Sequence, residues 1–147
     1  MTGTNILKKM NVQLKRLDDA YHFEACNEDG QAIHLDNSPE HGGHKKGVRP
    51  MQTLLMALGG CSAIDIVTIL KKQRQTIEDF QISIDGEREK DQVPSLFETI
   101  HIVFKLKGKL DKDKVERAVA LSMEKYCSVA KTLEKTAKIT YKIEVRS

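Results

Sequence analysis

The sequence lacks the features of exported, membrane-spanning and nucleic-acid-binding proteins. No apolar run follows Lys8 and Lys9, so we expect no secretory signal. The uncharged stretch that begins at Met51 is too short to cross a bilayer. The net charge is only +3, and the lysines alternate with acidic residues as on a solvated surface, which argues against a nucleic-acid partner. We therefore expect a cytoplasmic protein with no membrane or nucleic-acid partner.

Cysteine is scarce, and its pattern argues against a framework of structural disulfides. The three residues, Cys26, Cys61 and Cys127, are odd in number, lie far apart and form no C-x-x-C pair. In a chain without an export signal they are expected to be reduced, either as buried or as catalytic thiols. His41 and His44 lie in a polar segment rich in glycine and lysine, which does not favour a metal site. We expect neither a metal nor an organic cofactor.

The residues that are present indicate an ordinary globular protein. Hydrophobic residues make up 39% of the chain and charged residues 31%, a balance that allows a core and a solvated surface. At 147 residues the chain is long enough for one such core, and no internal repeat is visible. We predict a single domain over residues 1–147, with its core at about 10–146 and a mobile polar loop over 37–48.

A long central helix is the clearest predicted element. Short strand-like stretches occupy residues 13–35, before the polar loop. Pro50 then opens a helix, because proline suits a first helical turn, and basic Lys71 and Lys72 suit its last turn. The helix is apolar around most of its surface, so we expect it to be buried.

Strands and further helices follow this helix. Alternating apolar residues predict neighbouring strands over 80–85 and 96–107, paired antiparallel, and a last strand over 139–145. Between the last two strands, Asp111 is expected to cap a helix, and a break near Cys127 is expected to begin a second, short helix. Strands segregated around central helices predict the α+β class.

Cys61 has an unusual setting on the long helix. It follows Gly59 and Gly60, each of which costs about 1 kcal/mol relative to alanine inside a helix. Such glycines indicate that another helix, a second copy of the chain or a ligand approaches the backbone. Asp65, one turn later, is expected to form a structural ion pair or a cap rather than to act as a catalytic base. A buried, unreactive Cys61 is the alternative.

Cys127 lies where the short helix is expected to begin. Free N–H groups and the helix dipole would lower the pKa of its thiol there, and Lys125 and Lys131 add positive charge. Cys26 has no comparable setting. Sixty-six residues separate Cys61 from Cys127, so their spacing alone does not show whether the two thiols meet.

Around these cysteines the sequence resembles the OsmC/Ohr superfamily, and most closely its YhfA-like branch. The resemblance is carried by residues 50–65 and 124–130, and the order of elements fits over residues 10–145. It implies an OsmC-like fold, an intertwined homodimer in which antiparallel sheets wrap long central helices. It also implies that Cys61 and Cys127 lie close enough to form a disulfide, at a site in the subunit interface.

The resemblance further implies a thiol-dependent peroxidase. In the family's peroxidases the first cysteine attacks a small organic or inorganic hydroperoxide and becomes a sulfenic acid. A second thiol condenses with it to a disulfide, which an external dithiol reduces. By this correspondence Cys61 is the peroxidatic thiol and Cys127 the resolving thiol.

One position departs from the pattern of those peroxidases. They carry a glutamate directly after the helix-opening proline, which orients an arginine beside the thiolate. Here Met51 takes that position and is followed by neutral Gln52, and Arg49 is the candidate for the cation. Arg49, Gln52 and Asp65 are the candidate supporting residues of the thiol site. Two alternatives to a peroxidase follow. One is a non-enzymatic, redox-responsive dimer that binds an apolar ligand, and the other is persulfide or thiol transfer.

Overall fold

The computed structural model describes residues 7–147 and divides the chain into two compact units, the first ending at Thr53 and the second beginning at Leu54. The prediction of a single domain stays a prediction. The first unit contains a three-stranded antiparallel sheet with its strands in chain order. The strands are β1 (Gln13–Arg16), β2 (Phe23–Cys26) and β3 (Ala32–Leu35). The strand-like stretches expected over residues 13–35 are thereby confirmed.

The polar segment at residues 37–48 is tied to a buried carboxylate. It contains a short 3₁₀ helix, Pro39–His41. The Asp36 side chain accepts hydrogen bonds from the backbone N–H groups of His44 and Lys46, each at 3.0 Å. These bonds satisfy backbone groups that no sheet or helix reaches. The mobility expected of the loop stays a prediction.

The second unit combines a second sheet with helices, which confirms the α+β class. The first turn of its long helix still belongs to the first unit. The elements are α1 (Pro50–Lys72), β4 (Thr76–Arg88), β5 (Phe97–Lys109), α2 (Lys112–Leu121), a π-helical turn (Ser122–Tyr126), α3 (Ser128–Leu133) and β6 (Lys138–Arg146). The sheet has the order β4–β5–β6.

The pairing of the last strand corrects the expectation of purely antiparallel sheets. Strands β4 and β5 pair antiparallel, as predicted for neighbours joined by a short loop. Strand β6 instead pairs parallel with β5, in a register that includes Ile100 opposite Ile139. The reason is the connection, because α2 and α3 carry the chain back along the sheet before β6 begins, which is how parallel neighbours are joined.

The core of the second unit lies between this sheet and its helices. Alternate residues of β5 point inward and are buried, as its period of two requires. The α2 residues on one face are buried as well. The buried side chains of these two elements are Phe97, Ile100, Ile102, Phe104, Leu106, Val115, Ala118 and Val119.

Helix α1 is buried on one side only, which corrects the expectation of burial all round. Leu58, Ile66 and Leu70 are fully buried. On its other side Met56 and Ile64 are 55% and 70% exposed. By length and apolar composition alone α1 could cross a membrane, a property that the core helices of soluble proteins share.

The two glycines of α1 have different surroundings. A Cβ atom at Gly59 would lie 3.0 Å from Ile84 Cδ1 of β4, so that position accommodates close packing within the second unit. At Gly60 a Cβ atom would meet no atom of residues 7–147 within 4 Å. The close approach expected at both glycines is therefore present at Gly59, while Gly60 lies on the uncovered side of the helix.

Candidate functional site

Helix α1 presents Cys61 and Asp65 on one face. Residues four apart on a helix lie one above the other, so the thiol and the carboxylate are neighbours. Both side chains are half-buried. The helix is 23 residues long and continues for more than one turn beyond Asp65, so neither group depends on a fraying end for its position.

A break in the helical chain positions Cys127. The π-helical turn ends at Tyr126, and the backbone of Cys127 is extended, with φ −74° and ψ 103°. Its N–H donates to the Ser122 carbonyl oxygen at 2.7 Å. Its sulfur then caps α3 by accepting a hydrogen bond from the Ala130 N–H at 3.4 Å. These bonds hold the thiol at the start of α3, where it is fully buried.

The structure brings three predicted site residues together. One ligand atom from each of Cys61, Asp65 and Cys127 lies within 4.8 Å of the other two. A disulfide would require the sulfurs to close by about 2.8 Å at most, since the S–S bond is about 2.0 Å long. Residues 66 apart in sequence thus form one cluster, which the spacing could not show. Cys26 belongs to the first unit, where its thiol donates to Glu24 Oε1 at 3.4 Å.

Asp65 is held by a hydroxyl group, and the ion pair expected for it is not formed within residues 54–147. The Ser122 Oγ–H donates to Asp65 Oδ2 at 2.9 Å. Ser122 is fully buried, so this bond provides its polar group with a partner. Sequence analysis did not identify Ser122 as a site residue, and a serine among the apolar residues of a helix face was the available signal.

The thiol of Cys127 is harder to ionise than expected. Burial raises its pKa to about 11, and the Cys61 thiol and the Asp65 carboxylate act in the same direction. The hydrogen bond from the Ala130 N–H acts the opposite way and is outweighed. The predicted lowering of this pKa was therefore wrong, because the site is buried and carries negative rather than positive neighbours.

Arg49 and Gln52 lie at the start of α1 and belong to the first unit. The Gln52 Oε1 atom accepts the Arg49 backbone N–H at 2.9 Å, so this glutamine satisfies a backbone donor at the helix start. The Arg49 side chain is exposed. Their supporting roles at the thiol site stay predictions.

A cleft of about 520 Å³ opens beside the cluster. Asp65 lines it, so solvent and small molecules can reach the carboxylate. The Gln73 Oε1 atom is buried and has no hydrogen-bond partner in the part of the chain that the structure describes. The other lining residues are Thr68, Ile69, Lys72, Gln73, Leu121 and Tyr126.

Comparison with known proteins identifies the family. The sequence pattern of the OsmC-like protein family matches residues 43–142. Protein YhfA of Escherichia coli strain K12 is 50% identical over 101 residues, which cover 68% of this chain and 75% of that protein.

Solved structures agree with that match. A hypothetical protein from Aquifex aeolicus VF5 is 32% identical, with a TM-score of 0.78 over 96% of this chain and 100% of its own. The organic hydroperoxide resistance protein OhrB of Bacillus subtilis shares the fold at 20% identity, with a TM-score of 0.61 over 95% of this chain and 100% of its own. The resemblance seen in the sequence is confirmed, and the chain belongs to the OsmC-like protein family.

Proposed function

We propose that the protein is a thiol-dependent peroxidase in which Cys61 reduces a small organic or inorganic hydroperoxide and Cys127 resolves the product. The observation that supports this most directly is the pair of sulfur atoms within 4.8 Å of each other. Their unequal burial supports the division of roles. Cys61 is half-buried and reachable, whereas Cys127 is fully buried.

The reaction runs through one sulfenic acid and one disulfide. The Cys61 thiolate attacks the O–O bond of the hydroperoxide and takes up one oxygen as a sulfenic acid. The leaving alkoxide, or hydroxide in the case of hydrogen peroxide, is protonated to an alcohol or to water. The Cys127 thiol then forms the S–S bond with Cys61, and the sulfenic oxygen departs as water. An external dithiol transfers two electrons and two protons to the disulfide and is itself oxidised to a disulfide.

The state of Cys127 suits a resolving thiol. With a pKa of about 11 it keeps its proton at neutral pH, so it does not compete with Cys61 for the hydroperoxide. Its sulfur nevertheless lies within 4.8 Å of the Cys61 sulfur, on which the sulfenic acid would form. Free thiols of this kind stay reduced in the cytoplasm, which is the compartment we propose.

We also propose a homodimer that uses the uncovered side of α1. Large apolar side chains are exposed along this side, and exposed apolar patches of that kind mark contact surfaces. Gly60 lies on the same side and would allow a second backbone to approach. The exposed residues are Leu54, Met56 and Ile64.

Turnover of hydroperoxide with a dithiol reductant tests the proposal. Consumption of cumene hydroperoxide and of hydrogen peroxide is measured with dihydrolipoamide for wild type, Cys61→Ser and Cys127→Ser. We expect turnover in wild type, none in Cys61→Ser, and a single stoichiometric oxidation in Cys127→Ser. Cys26→Ser is the matched control and retains full activity. Activity that is absent in wild type, or that survives loss of Cys61, contradicts the proposal.

The roles of Arg49 and Gln52 are tested in the same assay. If Arg49 supplies the cation that stabilises the Cys61 thiolate, Arg49→Ala lowers kcat/KM by about 10-fold or more while Arg49→Lys retains part of the rate. Gln52→Ala serves to separate helix capping from catalysis, since it removes only the acceptor for the Arg49 N–H. Unchanged values of kcat/KM in Arg49→Ala and in Gln52→Ala would exclude these two residues from the mechanism.

The apolar side of α1 favours one second candidate, a non-enzymatic dimer that binds an apolar ligand. The exposed side chains on this side include Met56 and Ile64. Fluorescence of a dansylated fatty acid, titrated with wild type and with Met56→Lys, separates the two. Saturable binding that Met56→Lys abolishes, together with no peroxidase turnover, favours the second candidate.

A further inference from the structure

We propose that the reduced protein binds a divalent cation of the zinc type through Cys61, Asp65 and Cys127. The sequence contains no C-x-x-C pair, and Cys127 lies 66 residues from Cys61, so the three ligands meet only through the fold. The ligand atoms of the three residues all lie within 4.8 Å of one another. In a tetrahedral zinc site with bonds of about 2.3 Å to sulfur and about 2.0 Å to oxygen, ligand atoms are roughly 3.5–3.8 Å apart. The ligand atoms would therefore have to approach one another by about 1 Å to bind an ion in this geometry.

Two of the ligands are fixed by one rigid element. Cys61 and Asp65 are four residues apart on α1, so their ligand atoms project from the same face. Cys127 comes from a different part of the chain, but its position is fixed by backbone hydrogen bonds to Ser122 and Ala130. The cluster thus needs only side-chain rotation to close around an ion.

The donor atoms of the cluster suit a zinc-type cation, which binds thiolate sulfur and carboxylate oxygen. Two sulfur atoms and one carboxylate converge there, and Asp65 has no ion-pair partner within residues 54–147. A bound divalent ion would take all three groups as ligands. Binding forms two metal–sulfur bonds and one metal–oxygen bond, and the two thiol protons leave to solvent.

The surroundings of Asp65 resemble those of a metal-ligating carboxylate. The Ser122 hydroxyl donates to Oδ2 and orients the carboxylate, while Oδ1 accepts no hydrogen bond from residues 7–147. The cleft lined by Asp65 and Tyr126 gives access to the site. Three protein ligands leave the fourth tetrahedral position for a water molecule from that cleft.

Metal binding and peroxide reduction use the same thiols but are separable. Binding requires only the reduced dithiol and takes place whether or not the protein turns over hydroperoxide. A metal-bound dithiolate cannot condense to a disulfide, so saturating Zn²⁺ would inhibit any peroxidase activity. A Cys61–Cys127 disulfide would in turn remove both sulfur ligands.

The test uses Co²⁺ as a spectroscopic probe and Zn²⁺ as its competitor, with the full chain reduced and kept under nitrogen. We expect one Co²⁺ per chain, with a thiolate-to-cobalt charge-transfer band that Zn²⁺ abolishes. We expect Cys61→Ser and Asp65→Asn each to weaken the affinity by more than about 10-fold. Ser122→Ala should weaken it by about 10-fold, because it removes the hydroxyl that orients the Asp65 carboxylate. Cys26→Ser is the matched control and binds like wild type.

Several results would overturn the inference. These are the absence of the charge-transfer band at one equivalent of Co²⁺, a band of full intensity in Cys61→Ser, or an Asp65→Asn affinity equal to that of wild type. Circular dichroism of each variant verifies its fold. Cys61 is half-buried, so its serine variant decides the question even if Cys127→Ser does not fold. Oxidation of wild type with diamide should abolish binding, and binding that persists in the disulfide form counts against the site.

Discussion

At the scale of single residues, Cys61 and Cys127 are unequal although their sulfur atoms are neighbours. Cys127 is fully buried and its pKa is raised to about 11, chiefly by burial. Cys61 is half-buried on the helix face. In such a pair only the accessible thiol can react with an external oxidant, and the buried thiol reacts afterwards with the oxidised sulfur. A peroxidatic and a resolving thiol require this sequence of reactions.

Alkylation rates should reveal this difference. At pH 7 a thiol of pKa about 11 is ionised in about one molecule in 10,000, and burial blocks the reagent as well. We expect iodoacetamide to label Cys61 at least about 10-fold faster than Cys127. Peptide mass spectrometry over time measures both rates, and the urea-unfolded chain, in which the two label alike, is the control. Faster labelling of Cys127 in the native protein would contradict the assignment.

The raised pKa of Cys127 also predicts a loss of stability in alkali. The folded state holds this proton more tightly than the unfolded state, whose thiol titrates near 9.0. The stabilisation of the folded state by the protonated Cys127 is therefore complete below pH 9. It is lost as the pH rises toward 11, by at most about 1.4 kcal/mol per pH unit. Urea unfolding of reduced wild type and Cys127→Ser measures it. The stability difference between them should shrink over this range, and a constant difference argues against the shift.

Residue types at the site were predictable from the sequence, but their environment was not. Cys61, Asp65 and Cys127 were singled out by their helix positions, and the structure brings them together. The helix start at Cys127 was also foreseen. The direction of its pKa shift was missed, because burial and the approach of Asp65 depend on packing between segments far apart in sequence.

At the scale of elements, α2 is stabilised at its start by a side-chain cap. The Asp111 carboxylate accepts the Asp113 N–H at 2.9 Å, a bond to one of the donors that a helix start leaves free. Asp111→Ala should lower the free energy of unfolding by about 1 kcal/mol. Urea unfolding of the reduced protein measures the change. Asp111→Asn keeps an acceptor and should lose less than half as much, whereas equal losses would show that the charge, not the cap, matters.

Most elements followed from local patterns, whereas strand pairing did not. Alternation located β5, and Pro50 and Asp111 marked the starts of α1 and α2. The expectation of purely antiparallel sheets was wrong for β6, because the alternation of a strand shows which side chains face the core but not the direction of its neighbour. The exposed side of α1 was missed for a related reason, since apolar composition predicts burial without showing which faces of a helix the rest of the chain covers.

At the scale of the whole molecule, the uncovered side of α1 predicts self-association. Ile64 is 70% exposed on it, and a charge placed there would have to be buried on association. In light scattering after size exclusion we expect wild type at twice 16.6 kDa and Ile64→Lys at the monomer mass at the same concentration. Val93→Lys is the matched control, since Val93 is 100% exposed in a loop. A monomeric wild type, or an unchanged Ile64→Lys dimer, contradicts the proposed interface.

The position of Cys127 on the connection between β5 and β6 has a consequence for the oxidised chain. A bond from Cys61 to Cys127 would close a covalent ring that contains the whole β4–β5 hairpin. In the chain-entropy view, a ring of this length lowers the conformational entropy of the unfolded chain and so stabilises the folded state by about 4 kcal/mol. The two thiols would then control stability as well as chemistry. Oxidation to the disulfide would raise the free energy of unfolding, and reduction would lower it again.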